Sequence, residues 1–443
     1  MGDKRLAANS GKGYVDQSLI HSQEEILSTS EETGLLSQLE EQVVHLPRTR
    51  PLYYEDPYLR EFEAKILKSI KVGQRSFAIL DRTAFFPEGG GQPGDRGVIE
   101  VGGAGFEVLD TKPVGDVVVH VLNRPLESAE VPAKGAIDWQ SRYSNMRHHT
   151  AAHIVFSAAR SILKAQDLRY MGFQIGADRV RIDLNREESI TRDEIREIEK
   201  AANLIALRQL SVKTSFTTRD EAVKRFGSNL GLTEVTPTGE VRLVEVGDQD
   251  ISLCCGTHVQ STIEVVPIKI LGRLRLQKGI DRIEVAASEQ GYLRFLAASE
   301  TLSTLTDLLD TEDANIVPRV QQLFQERERM KDELRDLRTS IAESEALQYL
   351  SHADQMGKLK VVARTIDGVD SNVLKRMALK ITYSDQSAVA ILGSSDTVGH
   401  IVAAAGANLV NQGLNLDRVV KAVAAETGCR GGGTNNIAQT GGF

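Results

Sequence analysis

Two pairs of metal-type side chains constrain this sequence more than any other feature. His149 and His153 stand four apart in HHTAAHI, and Cys254 and His258 stand four apart in SLCCGTHV. The first pair falls in RHHTAAHIVFSAARSIL, which has few breakers and apolar residues at helical spacing. Four residues is about one helical turn, so both imidazoles share a face and can share an ion. The second pair encloses Gly256, which points to a turn rather than a helix. Each half alone is a weak signal. Together they offer three imidazoles and one thiolate from two distant elements, the N/S donor set that tetrahedral zinc prefers. If all four bind, the site is closed and pins a helix to a loop. If three bind, the open position can take a water or a substrate oxygen.

The rest of the cysteine usage agrees with a metal rather than crosslinks. Besides Cys254 there are only Cys255 and Cys429, which make no disulfide framework, and a reducing cytoplasm is the expected location. The net charge of -8 argues against a generally basic, nucleic-acid-coating protein but leaves room for local basic patches. No apolar run reaches membrane-spanning length, and MGDKRLAANSGKGYVDQ lacks the apolar centre of a signal peptide.

Patterning divides the 443 residues into five segments. Residues 1–50 are polar and acidic and read as a flexible extension, with LLSQLEEQVV as a short helix. Residues 51–140 carry short β-rich runs (RSFAILD, GVIEV, FEVLD, DVVVHVL) between Gly, Pro and Asp, as in a compact sheet or barrel. Residues 141–288 mix helix and strand, with SITRDEIREIEKAANLIALRQL opening on a Ser/Thr cap signal. Residues 289–352 read as helical. Met330, Leu334, Leu337 and Ile341 repeat at 4-3-4 spacing, either a short coiled-coil seam or one amphipathic helix on its own domain. Residues 353–443 alternate strand and helix and end in CRGGGTNNIAQTGG, read as a glycine-rich loop.

A second constellation is LDRTAFFPEGGGQPGDRG, residues 80–97. Gly89, Gly91 and Gly94 formally fit G-x-G-x-x-G, but Pro93 interrupts the loop and a strand follows where a helix should start. A dinucleotide site is therefore rejected. The run Gly89, Gly90, Gly91 lets backbone approach a ligand closely, with Thr83, Glu88 and Gln92 around it; a tight barrel turn is the plainer alternative.

DRTAFFPEGGGQPGDRG, then MRHHTAAHI, then CCGTHV, in this order, closely resemble the editing domain of alanyl-tRNA synthetase and the free-standing alanyl-tRNA editing proteins, the AlaX family, in its long subtype. RGGGTNNIAQTGG and the helical stretch before it resemble the C-terminal domain of alanyl-tRNA synthetase. The resemblance covers roughly residues 50–443; the extension is too short for an aminoacylation domain, so synthetase activity is not expected. The implied fold is α+β: a β-barrel-like domain, an α/β editing domain with one zinc ion, a coiled-coil or hairpin helical segment, and a small C-terminal α/β domain.

The resemblance implies hydrolysis of mischarged tRNA(Ala), chiefly Ser-tRNA(Ala) and secondarily Gly-tRNA(Ala), by a homodimer whose C-terminal region grips tRNA. It makes His149, His153, Cys254 and His258 the zinc ligands, and Thr83, Glu88, Gly89, Gly90, Gly91 and Gln92 the substrate pocket. Thr83, then Gln92, are the expected contacts to the serine hydroxyl. The metal would either generate hydroxide or position the ester, and Glu88 and His148 are the only candidate bases. Cys255 departs from the family's usual Cys-Gly-Gly-Thr-His; if that backbone needs positive φ, a side chain there costs roughly 1 kcal/mol. RTRPLYY and GRLRLQKGIDR are candidate electrostatic contacts to RNA. A non-catalytic tRNA-binding protein with a structural zinc is the main rival reading.

Overall fold

The alternating runs of the first half close into a barrel. Its strands are β1 (Glu61–Val72), β2 (Arg75–Leu80), β3 (Gly97–Val101), β4 (Ala104–Val114), β5 (Val117–Leu122) and β6 (Pro132–Ile137). They pair in the order β1-β2-β5-β4-β3-β6. Phe62, Ile66 and Ile70 alternate inward along β1, as a strand with one buried face requires. The computed structural model describes residues 38–176, 178–227, 230–231, 239–395 and 399–441.

Most of the expected flexible extension, residues 1–37, lies outside the described residues. Its last part holds the short helix expected in LLSQLEEQVV, but packed onto the barrel rather than loosely attached. Residues 38–43 are helical, and Leu39 and Val43 pack against Phe77, Ile79 and Val119 of the barrel. Two apolar side chains one turn apart suffice to hold this turn down.

Helix α1 (Trp139–Ile162) leaves the barrel directly. The Asp138 carboxylate caps it by accepting from the Gln140 and Ser141 amides. Almost every residue from Asn145 to Phe156 is buried, because α1 runs beneath the antiparallel sheet β12-β13-β8-β7 and beside α2 (Arg192–Ala206). Those strands are β7 (Tyr170–Ile175), β8 (Val180–Arg186), β12 (Ile268–Gln277) and β13 (Gly279–Ala287). Helix α2 begins at the expected cap, with Thr191 and Glu194 forming a reciprocal capping box. A second sheet contains β9 (Val212–Thr218), β10 (Glu240–Val246) and β11 (Asp250–Leu253), in that order, with α3 (Arg219–Phe226) following β9.

One buried ion pair joins the barrel to α1. Asp95, on the loop after the glycine run, receives the Arg142 guanidinium, which also donates to the carbonyls of Ala84 and Pro57. Neither side chain is exposed beyond a trace.

The chain divides into two compact units near residue 301, within helix α4 (Ser288–Leu309). The second unit holds α5 (Ile316–Ser351) and a six-stranded sheet. Its strands are β14 (Asp354–Met356), β15 (Leu359–Thr365), β16 (Ala388–Ser395), β17 (Gly399–Ala405), β18 (Arg430–Gly433) and β19 (Ile437–Gly441), ordered β14-β15-β16-β17-β19-β18. Helix α6 (Ser371–Ser384) makes the parallel crossover from β15 to β16, and α7 (Leu416–Thr427) precedes β18. The glycine-rich ending is thus a hairpin, not a loop: Gly431 pairs with Thr440 and Gly432 with Gln439. Glycine-rich strands carry little side-chain signal, which is why composition alone reads them as loop. Among the described residues, no helix is long and apolar enough to cross a membrane.

Candidate metal centre

Helix α1 and the loop after β11 meet as the two half-sites require. The ligand atoms of His149, His153, Cys254 and His258 all lie within 4.8 Å of one another. Cys254 Sγ is 3.2 Å from His149 Nε2 and 3.3 Å from His258 Nε2. The His149 and His153 rings are nearly parallel with centroids 5.5 Å apart, as residues one helical turn apart should be.

The outer nitrogen of every ring is occupied. His149 Nδ1 lies 2.9 Å from Gln92 Oε1, His153 Nδ1 lies 2.9 Å from Asp250 Oδ2, and His258 Nδ1 lies 3.2 Å from Thr150 Oγ1. With Nδ1–H donating outward, each Nε2 lone pair turns toward the centre. This is the arrangement in which imidazoles bind a metal. Asp250 is fixed in turn by the Ser252 hydroxyl at 2.7 Å.

The electrostatics of the four groups are coupled. Burial opposes a charged Cys254 thiol, but His149 and His258 hold it well below its ordinary range. Burial would lower His153, yet its bonds to Asp250 and Cys254 lift it to about 10. Burial and the neighbouring His149 push His258 down to about 3. A thiolate beside these imidazoles is a donor set for a cation, which would displace the proton that His153 otherwise keeps.

Gln92 does more than touch His149. Its Oε1 also accepts the Thr257 amide at 3.0 Å, and its Nε2 donates to Thr257 Oγ1 at 2.8 Å. The glycine loop is thereby part of the metal centre. Gly91 has φ +79 and presses on β7, where an added Cβ would fall 2.2 Å from the Phe173 carbonyl oxygen. Its own carbonyl accepts the Ile175 amide at 2.8 Å.

His149, His153 and Cys254 form one wall of a cleft of about 400 Å³, whose lining also includes Gly90, Tyr170, Phe173 and Cys255. A larger hollow of about 610 Å³ on the barrel contains none of these residues, and its Lys65, Glu130, Asp81 and Arg82 are already paired with one another.

The other expected site residues lie elsewhere. Thr83 is fully buried in the barrel, its hydroxyl 2.9 Å from His120 Nε2 and accepting the Phe85 amide at 3.1 Å. Glu88 is exposed and paired with Lys112. His148 turns away from the cluster, bonding the Ser144 carbonyl at 2.9 Å, and burial lowers its pKa. Neither candidate base lines the cleft. Gly89 is held in a tight turn by paired bonds with Gln92. Cys255 has no positive φ, so its side chain causes no backbone strain, and it stands outside the four-donor group. Two basic clusters are largely occupied: Arg50 by Glu55, Arg275 by the buried Asp281, and Arg282 by Asp183. Sequence reasoning missed Asp250, Thr150 and Tyr170. Asp250 precedes Cys254 by four, a spacing with no motif of its own.

Residues 13–140 match the family of class II (A) tRNA synthetases, and residues 241–284 match the second additional domain of threonyl and alanyl tRNA synthetases. The alanine–tRNA ligase of Methanobrevibacter smithii is 32% identical over 399 residues, covering 89% of this chain and 44% of that protein. This chain is related to the alanine–tRNA ligases. The ligase of Methanothrix thermoacetophila is 34% identical, covering 89% of this chain and 42% of its own length. The chain thus spans less than half the length of the alanine–tRNA ligases it matches. The first family match begins well inside the segment expected to be an unrelated extension. A solved C-Ala domain from Aquifex aeolicus alanyl-tRNA synthetase aligns with 20% of this chain and 81% of that one, at 19% identity and a TM-score of 0.19.

Proposed function

We propose that this chain is a trans-editing hydrolase of the AlaX kind that deacylates mischarged tRNA(Ala), chiefly Ser-tRNA(Ala) and secondarily Gly-tRNA(Ala). The observation that carries this reading is the N₃S cluster, with all three outer nitrogens bonded, in the wall of a cleft that the glycine loop helps to form. Relatedness to alanine–tRNA ligases supports the substrate class.

The donor set suits one zinc ion. Bonds of about 2.0–2.1 Å to nitrogen and 2.3 Å to sulfur in a tetrahedron imply S–N edges of about 3.5 Å, close to the 3.2 and 3.3 Å found. Bound there, the ion would supply positive charge to grip and polarise an oxygen of the aminoacyl ester or its ribose. With four protein ligands, positioning is favoured over hydroxide generation. The chain's own part is to orient the ester in a water-poor cleft.

Discrimination against alanine esters requires a buried polar group that bonds the serine hydroxyl. Thr83 is already engaged by His120 and Phe85. Tyr170 lines the same cleft, and its buried hydroxyl has no hydrogen-bond partner among the described residues, so we assign it that contact. Homodimerisation through α5 accords with its seam, since Met330, Leu334, Leu337 and Ile341 are all at least half exposed.

The test is incubation of the zinc-loaded protein with Ser-tRNA(Ala) and Ala-tRNA(Ala), beside a Cys254→Ala control. Rapid loss of serine only, absent in the control, is expected. Intact Ser-tRNA(Ala) after prolonged incubation would leave a tRNA-binding protein with a structural metal.

A further inference from the structure

The outer half of the cleft is built differently from its metal wall. Arg242 on β10 stands directly across from Phe216 on β9 in the antiparallel register, so both side chains emerge on one face. Tyr54, from the short helix Leu52–Glu55, packs against both. Its ring meets Phe216 edge-on at 5.7 Å, and the Arg242 guanidinium sits over it at 4.9 Å. Arg48, exposed, and Glu240, two residues before Arg242 on the same strand face, complete this side of the cleft.

Two features of this trio point to a ligand. Arg242 is only 7% exposed, yet no carboxylate pairs with it among the described residues. Its Nη1 donates to the carbonyls of Cys254 at 3.0 Å and Gly256 at 2.8 Å, while its Nε is buried without a partner among the described residues. A buried charge so provided for is incompletely paired, and an anion in the cleft would complete it. Directly beside it Phe216 leaves 52% of its surface in solvent, a large ring on an open sheet face. A cation with an exposed aromatic ring beside it is suited to a nucleotide, which brings a phosphate and a π-face together.

We infer that Arg242, Tyr54 and Phe216, with Arg48 at the rim, form the subsite for the last nucleotide of an RNA 3′ end. The guanidinium groups hold its phosphate and the Phe216 ring meets its base. This rests on the reading that the cleft receives the aminoacylated end of a tRNA. Arg242 has a second task, because its bonds to Cys254 and Gly256 hold the loop that presents the thiolate. It therefore couples nucleotide binding to the metal wall.

The full-length, zinc-loaded protein is titrated by calorimetry with adenosine 5′-monophosphate, adenosine and inorganic phosphate. The monophosphate should bind best. Phe216→Ala should weaken it about ten- to hundredfold, the usual worth of one base–aromatic stack. Arg48→Gln should weaken the monophosphate and phosphate but leave adenosine unchanged. These two variants carry the test because neither residue bonds the Cys254 loop, and zinc content is measured to confirm that it stays at the wild-type level. Equal monophosphate affinity in wild type and both variants, or no binding at all, overturns the subsite. Deacylation of Ser-tRNA(Ala), assayed in parallel, separates the two ideas. If it persists while the variants bind normally, the hydrolase reading stands and the subsite falls. If it is absent while the variants lose binding, the subsite stands and the hydrolase reading falls.

Discussion

Gln92 places its side-chain oxygen 2.9 Å from Nδ1 of His149, so a residue of the barrel loop sets the orientation of a ligand on helix α1. The same oxygen accepts the Thr257 amide, one residue before His258. Three separate stretches of chain therefore agree on the geometry of one cluster through a single amide side chain.

Replacing Gln92 by alanine should lower zinc affinity about ten- to hundredfold, the usual effect of losing an outer partner of a metal-binding imidazole. Competition against a chelating dye measures this. Affinity equal to wild type would mean that His149 is held by the helix alone.

The two adjacent cysteines should behave oppositely. Cys254→Ser should lose stoichiometric zinc, whereas Cys255→Ser should retain one ion per chain, because only Cys254 belongs to the four-donor group. Metal analysis after dialysis decides it, and loss of zinc from the Cys255 variant would mean that the two thiols exchange places.

Tyr170→Phe removes the one hydroxyl assigned to read serine while keeping the ring. The ratio of Ser-tRNA(Ala) to Ala-tRNA(Ala) deacylation rates should fall at least about tenfold. An unchanged ratio would return the assignment to another polar group of the cleft.

His120 makes the barrel sensitive to acid. Burial pushes its pKa down to about 4 from an ordinary 6.5, although its bond to the Ala78 carbonyl opposes this. Below pH 6.5 the unfolded chain takes up a proton that the folded barrel refuses. Stability is therefore fully present above that pH and falls as pH drops toward 4, by roughly 3 kcal/mol in all. Denaturant midpoints between pH 4 and 7 should decline less steeply for His120→Gln. Parallel slopes would show that this histidine is not responsible.

Arg142→Met should destabilise the first unit by about 3–5 kcal/mol, since it leaves the Asp95 carboxylate buried without its cation. Adding Asp95→Leu should recover part of that loss, and a double variant as unstable as the sum of both singles would deny the coupling.

The metal cluster was legible because two weak spacing signals together supply the donors that one ion needs. Four residues on a helix and four across a glycine turn pair the side chains locally, while the meeting of the two pairs is set by the fold. The barrel was legible for the same reason, from alternation along β1 and its neighbours. Roles that depend on which way a side chain faces were not. Thr83 and Gln92 sit in one motif, yet a strand buries Thr83 against His120 while a turn aims Gln92 at His149. Asp250 carries no local signal, and its partner lies 97 residues away. The glycine hairpin at the C-terminus was misread because its strands are recognised by pairing rather than by side chains.

Gly256 is the narrowest point of this assembly. A Cβ there would fall 2.1 Å from His149 Cε1 and 2.8 Å from Gln92 Oε1. Its neighbour at 255 accepts a thiol without strain. Adjacent positions in one motif thus have opposite latitude. A side chain at residue 255 borders the cleft beside Gly90, while residue 256 has no room for one between His149 and Gln92. Substitution at 255 would change what the cleft admits while leaving the four-donor group untouched.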